Sequence, residues 1–331
     1  MLKAWVLIIS LALSWPPAWA QELPRAARIE AAWREWVAEH NIQRSAIAIG
    51  NGAKMVRSAG IGRSPALPVE IASLSKTISA MCLAVVLYER NIGFDASIGD
   101  YLPRAYGQAS AAITFGDLVS QTTGLGEDET QIYMWRWLNL RRDQNRIAAD
   151  IALSRGPDPA MSGRFFYNNE NFAIIGWLIS ELTGQPYFDA CKSRIFGSGS
   201  MGPSRSWAAF GAWGGWRISA EDYLDFLLRY FGPASSFAPS PTFYPSANLG
   251  GGKHYGMGAY WRPDPAGGFN FWHLGRLCFR GNNRAGAYFV NYGSEWTIAV
   301  NYNACLSDQA AAALDAGLRR AVLAGTPRGE R

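Results

Sequence analysis

Lysine is scarce in this 331-residue chain. Lysine and arginine together number 31 against 26 acidic residues, giving a net charge of +5, and only five of the 31 are lysines. The arginines are scattered along the sequence, which reads as a solvated surface and speaks against a nucleic-acid partner. Histidine stops at three and cysteine at four. No C-x-x-C or H-E-x-x-H spacing occurs, so neither a metal nor another cofactor is expected. The G-x-S-x-G pattern is absent, which disfavours a conventional α/β-hydrolase. There is no internal repeat.

Long apolar runs are also rare. The one at the start, residues Met1 to Ala20, has the form of a secretory signal. Lys3 supplies the positive end, Ala4 to Leu13 the apolar stretch, and Ala18-Trp19-Ala20 the small-x-small cleavage site before Gln21. The stretch is short for a bilayer span, and Pro16-Pro17 would break a helix there. We therefore expect cleavage near Ala20 and an exported chain, periplasmic or secreted, with no transmembrane segment in the mature protein. Export permits disulfides. Cys278 and Cys305 flank the last strand pair and are the pair expected to bridge, whereas Cys82 falls inside an apolar helix and is expected to be simply buried.

What the chain does have is apolar mass, 49% hydrophobic residues, enough for a large core. Ile29 to His40 has the periodicity of an amphipathic helix. Ser45 to Ile49 and Lys54 to Ile61 read as strands joined at Asn51-Gly52, a hairpin signal. Helical patterns follow over Ile113 to Ser120, Asp128 to Leu153, Glu170 to Leu182 and Ala220 to Tyr230. Gly232 to Gly252 reads as a surface loop. Strands are expected over Tyr255 to Trp261, Gly268 to Leu274, Ala285 to Tyr292 and Trp296 to Asn303, then a closing helix over Ser307 to Ala324. Strands at both ends and helices between predict an α+β fold. An antiparallel sheet flanked by terminal helices (about 21–70 and 253–331) would carry an inserted, mostly helical lobe (about 71–252), all within one domain over 21–331. A crevice between such lobes is a usual ligand site.

The chemistry concentrates at Ser73-Leu74-Ser75-Lys76, which opens an apolar helix. Residues three apart on a helix share a face. A serine hydroxyl needs a neighbouring base to become nucleophilic, and a lysine serves only when desolvated. A short S-x-x-K pattern also occurs at ordinary helix starts with a solvated lysine. Tyr167 precedes Asn168-Asn169, one of which is expected to cap the helix that follows. A tyrosine beside Lys76 would relay a proton, its phenol pKa lowered by the lysine. His273-Leu274-Gly275 closes a predicted strand.

Taken together, Ser73-x-x-Lys76, Tyr167-Asn168-Asn169 and His273-Leu274-Gly275 resemble the three motifs of serine β-lactamase-like hydrolases. That superfamily includes class C β-lactamases, D-alanyl-D-alanine carboxypeptidases, D-aminopeptidases and esterases. Gln121-Thr122-Thr123-Gly124-Leu125, Leu182-Thr183-Gly184 and Tyr255-Gly256-Met257-Gly258 also look like family landmarks, and the likeness runs from about Ile29 to Leu323. It implies a β-lactamase/transpeptidase-like fold and an acyl-enzyme mechanism. Ser73, Lys76 and Tyr167 would be catalytic, and Asn169, His273 and Gly275 would support the substrate. The backbone N–H groups of Ser73 and Arg276 would receive the oxyanion.

Two positions depart from the pattern. Leu274 stands where a Ser or Thr is common, and Arg276 where a small residue is common. Leu274 offers no hydrogen bond to a substrate carboxylate, which favours a small ester or amide as substrate. Arg276 either binds a carboxylate or points to solvent, and the first option, with export, suggests a cell-wall peptide. Alternatives are therefore a D-alanyl-D-alanine carboxypeptidase, a β-lactamase, or an inactive binding protein on the same fold. Trp135, Trp137, Trp213 and Trp216 either line an apolar acyl pocket or fill the core.

Overall fold

The computed structural model of the chain describes residues 18–324, residues 198 and 282 excepted. The segment read as a secretory signal lies outside the described residues up to residue 17, and residues 18–20 begin helix α1 (Ala18–Glu39).

The strands are β1 (Ser45–Asn51), β2 (Lys54–Ile61), β3 (Ala247–Gly250), β4 (Lys253–Gly256), β5 (Ala259–Pro263), β6 (Phe269–Cys278), β7 (Arg284–Tyr292) and β8 (Trp296–Tyr302). They form one sheet in the order β2-β1-β8-β7-β6-β5-β4-β3, with antiparallel neighbours. The two ends of the chain thus meet mid-sheet, where Ala48 pairs with Ala299. Side chains alternate across a strand. Ile47 and Ile49 of β1 join Val290, Ile298 and Val300 under α1 and the closing helix α7 (Asp308–Leu323). Ala46, Ala48, Ala287 and Ala299 point the other way. These small residues let a helix lie close, and α6 (Ala220–Phe231) takes the place. A Cβ on Gly50 would sit 2.8 Å from Leu228 Cδ2.

This arrangement is the β-lactamase/transpeptidase-like α+β fold, with four local differences from the sequence expectation. The helix α6, counted with the helical lobe, packs on the sheet. Asp128 to Leu153 is not one helix; only Thr130–Tyr133 and α4 (Asn145–Arg155) are helical. Between them the backbone makes isolated turns, such as Arg136 N to Tyr133 O at 2.9 Å, and is tied to other segments, Asn139 N to Ser206 O at 2.8 Å and Gln144 N to Ala209 O at 2.9 Å. Tyr255 to Trp261 is two strands, because Met257 and Gly258 adopt positive φ (52° and 77°) and turn the chain. Part of the Gly232 to Gly252 loop is the edge strand β3. Three short strands, Val69–Glu70, Gly202–Pro203 and Trp216–Ile218, make a second small sheet.

Cys82 is not merely buried. It bridges Cys191 across 109 residues of sequence, and Cys278 bridges Cys305. The helix α2 (Ser75–Glu89) is the apolar centre of the helical lobe. Contrary to the expectation that no segment past the leader is long and apolar enough to cross a bilayer, Ala72–Glu89 meets that measure among the described residues; 72% of it is buried in the protein core.

Candidate active site

The site begins with a strained turn. Ala72 is buried and holds φ at 49°, a conformation that costs a non-glycine residue about 1 kcal/mol or more. The turn ends the Ala72–Leu74 3₁₀ segment in α2, leaving Ser73 partly exposed at the surface of the cleft and Lys76 in the first helical turn. Lys76 is 0% exposed. Its Nζ donates to Ser73 Oγ at 3.3 Å, to Asn169 Oδ1 at 2.7 Å and to the Trp213 carbonyl at 3.0 Å. It also lies 4.9 Å from the centre of the Tyr167 ring. Burial brings the ammonium down from its ordinary value to about 7, with Asp128 pulling the other way.

Helix α5 (Asn169–Thr183) supplies the next contact. Asn168 is its N-cap, accepting from Glu170 N at 2.7 Å. Asn169, one step further round, is then free to turn inward. It accepts from Lys76 and donates through Nδ2 to Thr130 Oγ1 at 3.0 Å. Buried Glu170 is held by Arg155 behind this cap.

Tyr167 enters from the same segment, and its Oη lies 3.3 Å from His273 Nε2. Its phenol is pushed above the ordinary value by burial, with Ser73 opposing. This reverses the expectation of a lowered phenol, because desolvation dominates and the Tyr260 and Asp128 charges push the same way. His273 is buried and brought down to about 3, by burial first and by Lys76 second, so its ring is neutral.

Strand β6 closes the site. Beyond Trp272 it pairs with β7 on one edge, and among the described residues no strand pairs with the other. Gly275 lies where that edge meets the Ser73 turn. A Cβ there would sit 2.3 Å from Ile71 O and 3.1 Å from Ser73 N. The close approach this glycine permits is therefore of the chain's own Ser73 turn. Gly258 plays the same part behind the lysine, where a Cβ would lie 2.6 Å from the Lys76 carbonyl.

Leu274 and Arg276 face away from His273 and Gly275. Leu274 packs with the core under the terminal helices. Arg276 Nη1 bonds Leu306 O and Asp308 Oδ1, each at 2.8 Å. Both face away from the cleft, so the substrate argument drawn from Leu274 falls, and Arg276 lies at the surface with Asp308 as its partner rather than in position for a substrate carboxylate. Trp213 is buried and meets Lys76 through its carbonyl; Trp137 packs against it at 6.1 Å. Trp216 is core, and Trp135 is 61% exposed.

Residues 29–321 match the Beta-lactamase family. The chain belongs to that family. It is similar to penicillin-binding protein 4 of Amycolatopsis lactamdurans, 26% identical over 149 residues, covering 42% of this chain and 36% of the relative. The matched part thus spans about a third of that relative's length. In fold it resembles the octameric penicillin-binding protein homologue from Pyrococcus abyssi, with a TM-score of 0.71 and 18% identity over 92% of this chain and 79% of that one. It also resembles a D-stereospecific amidohydrolase from a Streptomyces species, with a TM-score of 0.67 and 19% identity over 91% and 99%.

This Beta-lactamase-family chain also uses residues the motifs do not name. Asp128 Oδ2 accepts from Asn169 N at 3.2 Å, and Thr130 anchors the Asn169 amide. Gln121 caps helix α3 (Phe115–Ser120) in the left-handed region, at φ 59°, and donates to Tyr255 Oη at 3.1 Å. Tyr255 and Tyr260 pack edge-on to His273 at 6.0 and 5.8 Å. Gln121 and Tyr255 fall in the landmark segments; nothing in the sequence marks Asp128 or Thr130, which sit where a continuous helix was expected.

Proposed function

We propose that this chain is an exported serine hydrolase that forms an acyl-enzyme on a small, uncharged ester or amide. The observation that carries the reading is Lys76, wholly buried, held near neutral pKa and 3.3 Å from the Ser73 hydroxyl. A neutral Lys76 takes the Ser73 proton as Oγ attacks the substrate carbonyl carbon. The oxyanion develops against the N–H groups of Ser73 and Arg276. As the tetrahedral adduct collapses, the leaving group takes a proton from Tyr167, which recovers it from Lys76. Water then attacks the ester carbonyl, and Ser73 Oγ leaves with a proton restored.

The preference for an uncharged substrate rests on the third motif. His273 is neutral and Arg276 is turned into an ion pair, so no free cation on β6 waits for a substrate carboxylate. The two disulfides support export, since they persist in oxidising compartments. A D-alanyl-D-alanine peptidase is the second reading, favoured by the similarity to penicillin-binding protein 4. The intact Ser73, Lys76 and Tyr167 cluster speaks against an inactive binding protein. The test is kcat/KM for a neutral aryl ester beside the same ester carrying a carboxylate and beside a D-Ala-D-Ala peptide. A preference of tenfold or more for the neutral ester supports the reading. Equal or better use of the charged ester or the peptide overturns the substrate assignment.

A further inference from the structure

A cavity of about 720 Å³ lies away from the cleft, walled by residues 40–44, by 62, 63, 67, 69 and 70, and by 284–285 and 302–306. That volume is typical of small-molecule sites. The fold gathers Arg44, Arg63 and Arg284 here from three distant segments, against one carboxylate, Glu70. The cluster is invisible in the sequence, where the arginines look scattered.

Among the described residues none of the three guanidiniums is in an ion pair, and Glu70 already accepts from Ser204 Oγ at 2.9 Å. Arg63 is half-buried. Its Nη1 donates to Asn301 Oδ1 at 3.2 Å, while its Nε is buried without a partner, as is Nε2 of His40 on the same wall. A buried donor left unpaired is costly, and a buried charge more so. Burial, and then repulsion from Arg44, bring Arg63 down to about 10, with Glu70 opposing. The Arg44 backbone is held in place, its N–H donating to Asn303 Oδ1 at 3.0 Å and its carbonyl accepting from Asn303 N at 3.1 Å, while the side chain is exposed.

Guanidiniums outside any ion pair, two of them exposed at the cavity rim and that of Arg63 anchored on Asn301, match the forked geometry of carboxylates and phosphates. We propose that this cavity is a second, non-catalytic site that binds a small multiply charged oxyanion, with Arg44, Arg63 and Arg284 as its ligands. The oxyanion is either a polycarboxylate or a phosphate, and two probes tell these apart.

The test is calorimetric titration of the purified protein with citrate and, separately, with inorganic phosphate in low-salt buffer. The expected result is saturable one-site binding of at least one probe; citrate alone points to a carboxylate ligand and phosphate binding to a phosphate one. Arg44→Gln and Arg284→Gln should each weaken it tenfold or more, and Arg142→Gln, exposed and outside the cavity, should leave it unchanged. Arg63→Gln is a further variant if it folds; the other two suffice if it does not. Binding should persist in Ser73→Ala. Absence of saturable binding overturns the proposal, as does affinity retained in both Arg44→Gln and Arg284→Gln, an equal loss in Arg142→Gln, or loss in Ser73→Ala.

Discussion

Lys76 sets the pH behaviour of the site. Its amine accepts a proton only when neutral, so activity should rise with pH through about 7 and level off above it. Asp128 raises the lysine's pKa, and Asp128→Asn should move that limb to lower pH while Oδ1 still accepts from Thr130. A pH–rate profile of both proteins checks this; an unmoved limb would separate Asp128 from the lysine. His273 has a folded pKa of about 3, below its ordinary 6.5, so the unfolded chain binds the extra proton between those values. Its contribution to stability is present above about pH 6.5 and is lost as pH falls toward 3, which urea unfolding across that range would register. The motifs name Ser73, Lys76, Tyr167, Asn169 and His273, because motif spacing survives without coordinates, and the structure brings these together. Their charge states were not legible in the sequence. The lowered lysine and the raised phenol both come from desolvation, a property of everything packed around them.

Elements were legible where local chemistry decides and obscure where tertiary partners do. Asn51-Gly52 specifies its own hairpin, and Asn168 its own helix start. The segment 128–153 carries helical periodicity, yet its middle breaks into turns tied to Ser206 and Ala209, which no local rule foresees. The Cys82–Cys191 bridge is of the same kind, joining helices 109 residues apart. Replacing both cysteines by alanine should cost about 2–4 kcal/mol, since the link confines a long loop in the unfolded chain. Denaturant unfolding measures that, and no loss would mean the helices hold each other without it. Strand β6 meets the Ser73 turn through Gly275. The variant Gly275→Ala drives a methyl into the Ile71 carbonyl. It should destabilise the fold by about 1–3 kcal/mol and lose ester turnover at temperatures where it remains folded.

At the scale of the whole molecule, one sheet built from both ends of the chain supports two different surfaces. Its inner face and the helical lobe enclose the Ser73–Lys76 pair, and the ends of its central strands frame the arginine cavity. The α+β architecture followed from the order of strand and helix patterns, but the placement of α6 on the sheet did not, because it depends on the small residues Ala46, Ala48 and Gly50 beneath it. The central claim is that Ser73 becomes covalently acylated. The most direct measurement is the intact mass of the protein after mixing with a neutral aryl phosphonate and, under acid quench, with the matching ester. The account predicts one stoichiometric adduct, mapped to the peptide containing Ser73 and absent from Ser73→Ala. No adduct with either reagent, or an adduct that survives the substitution, would contradict it.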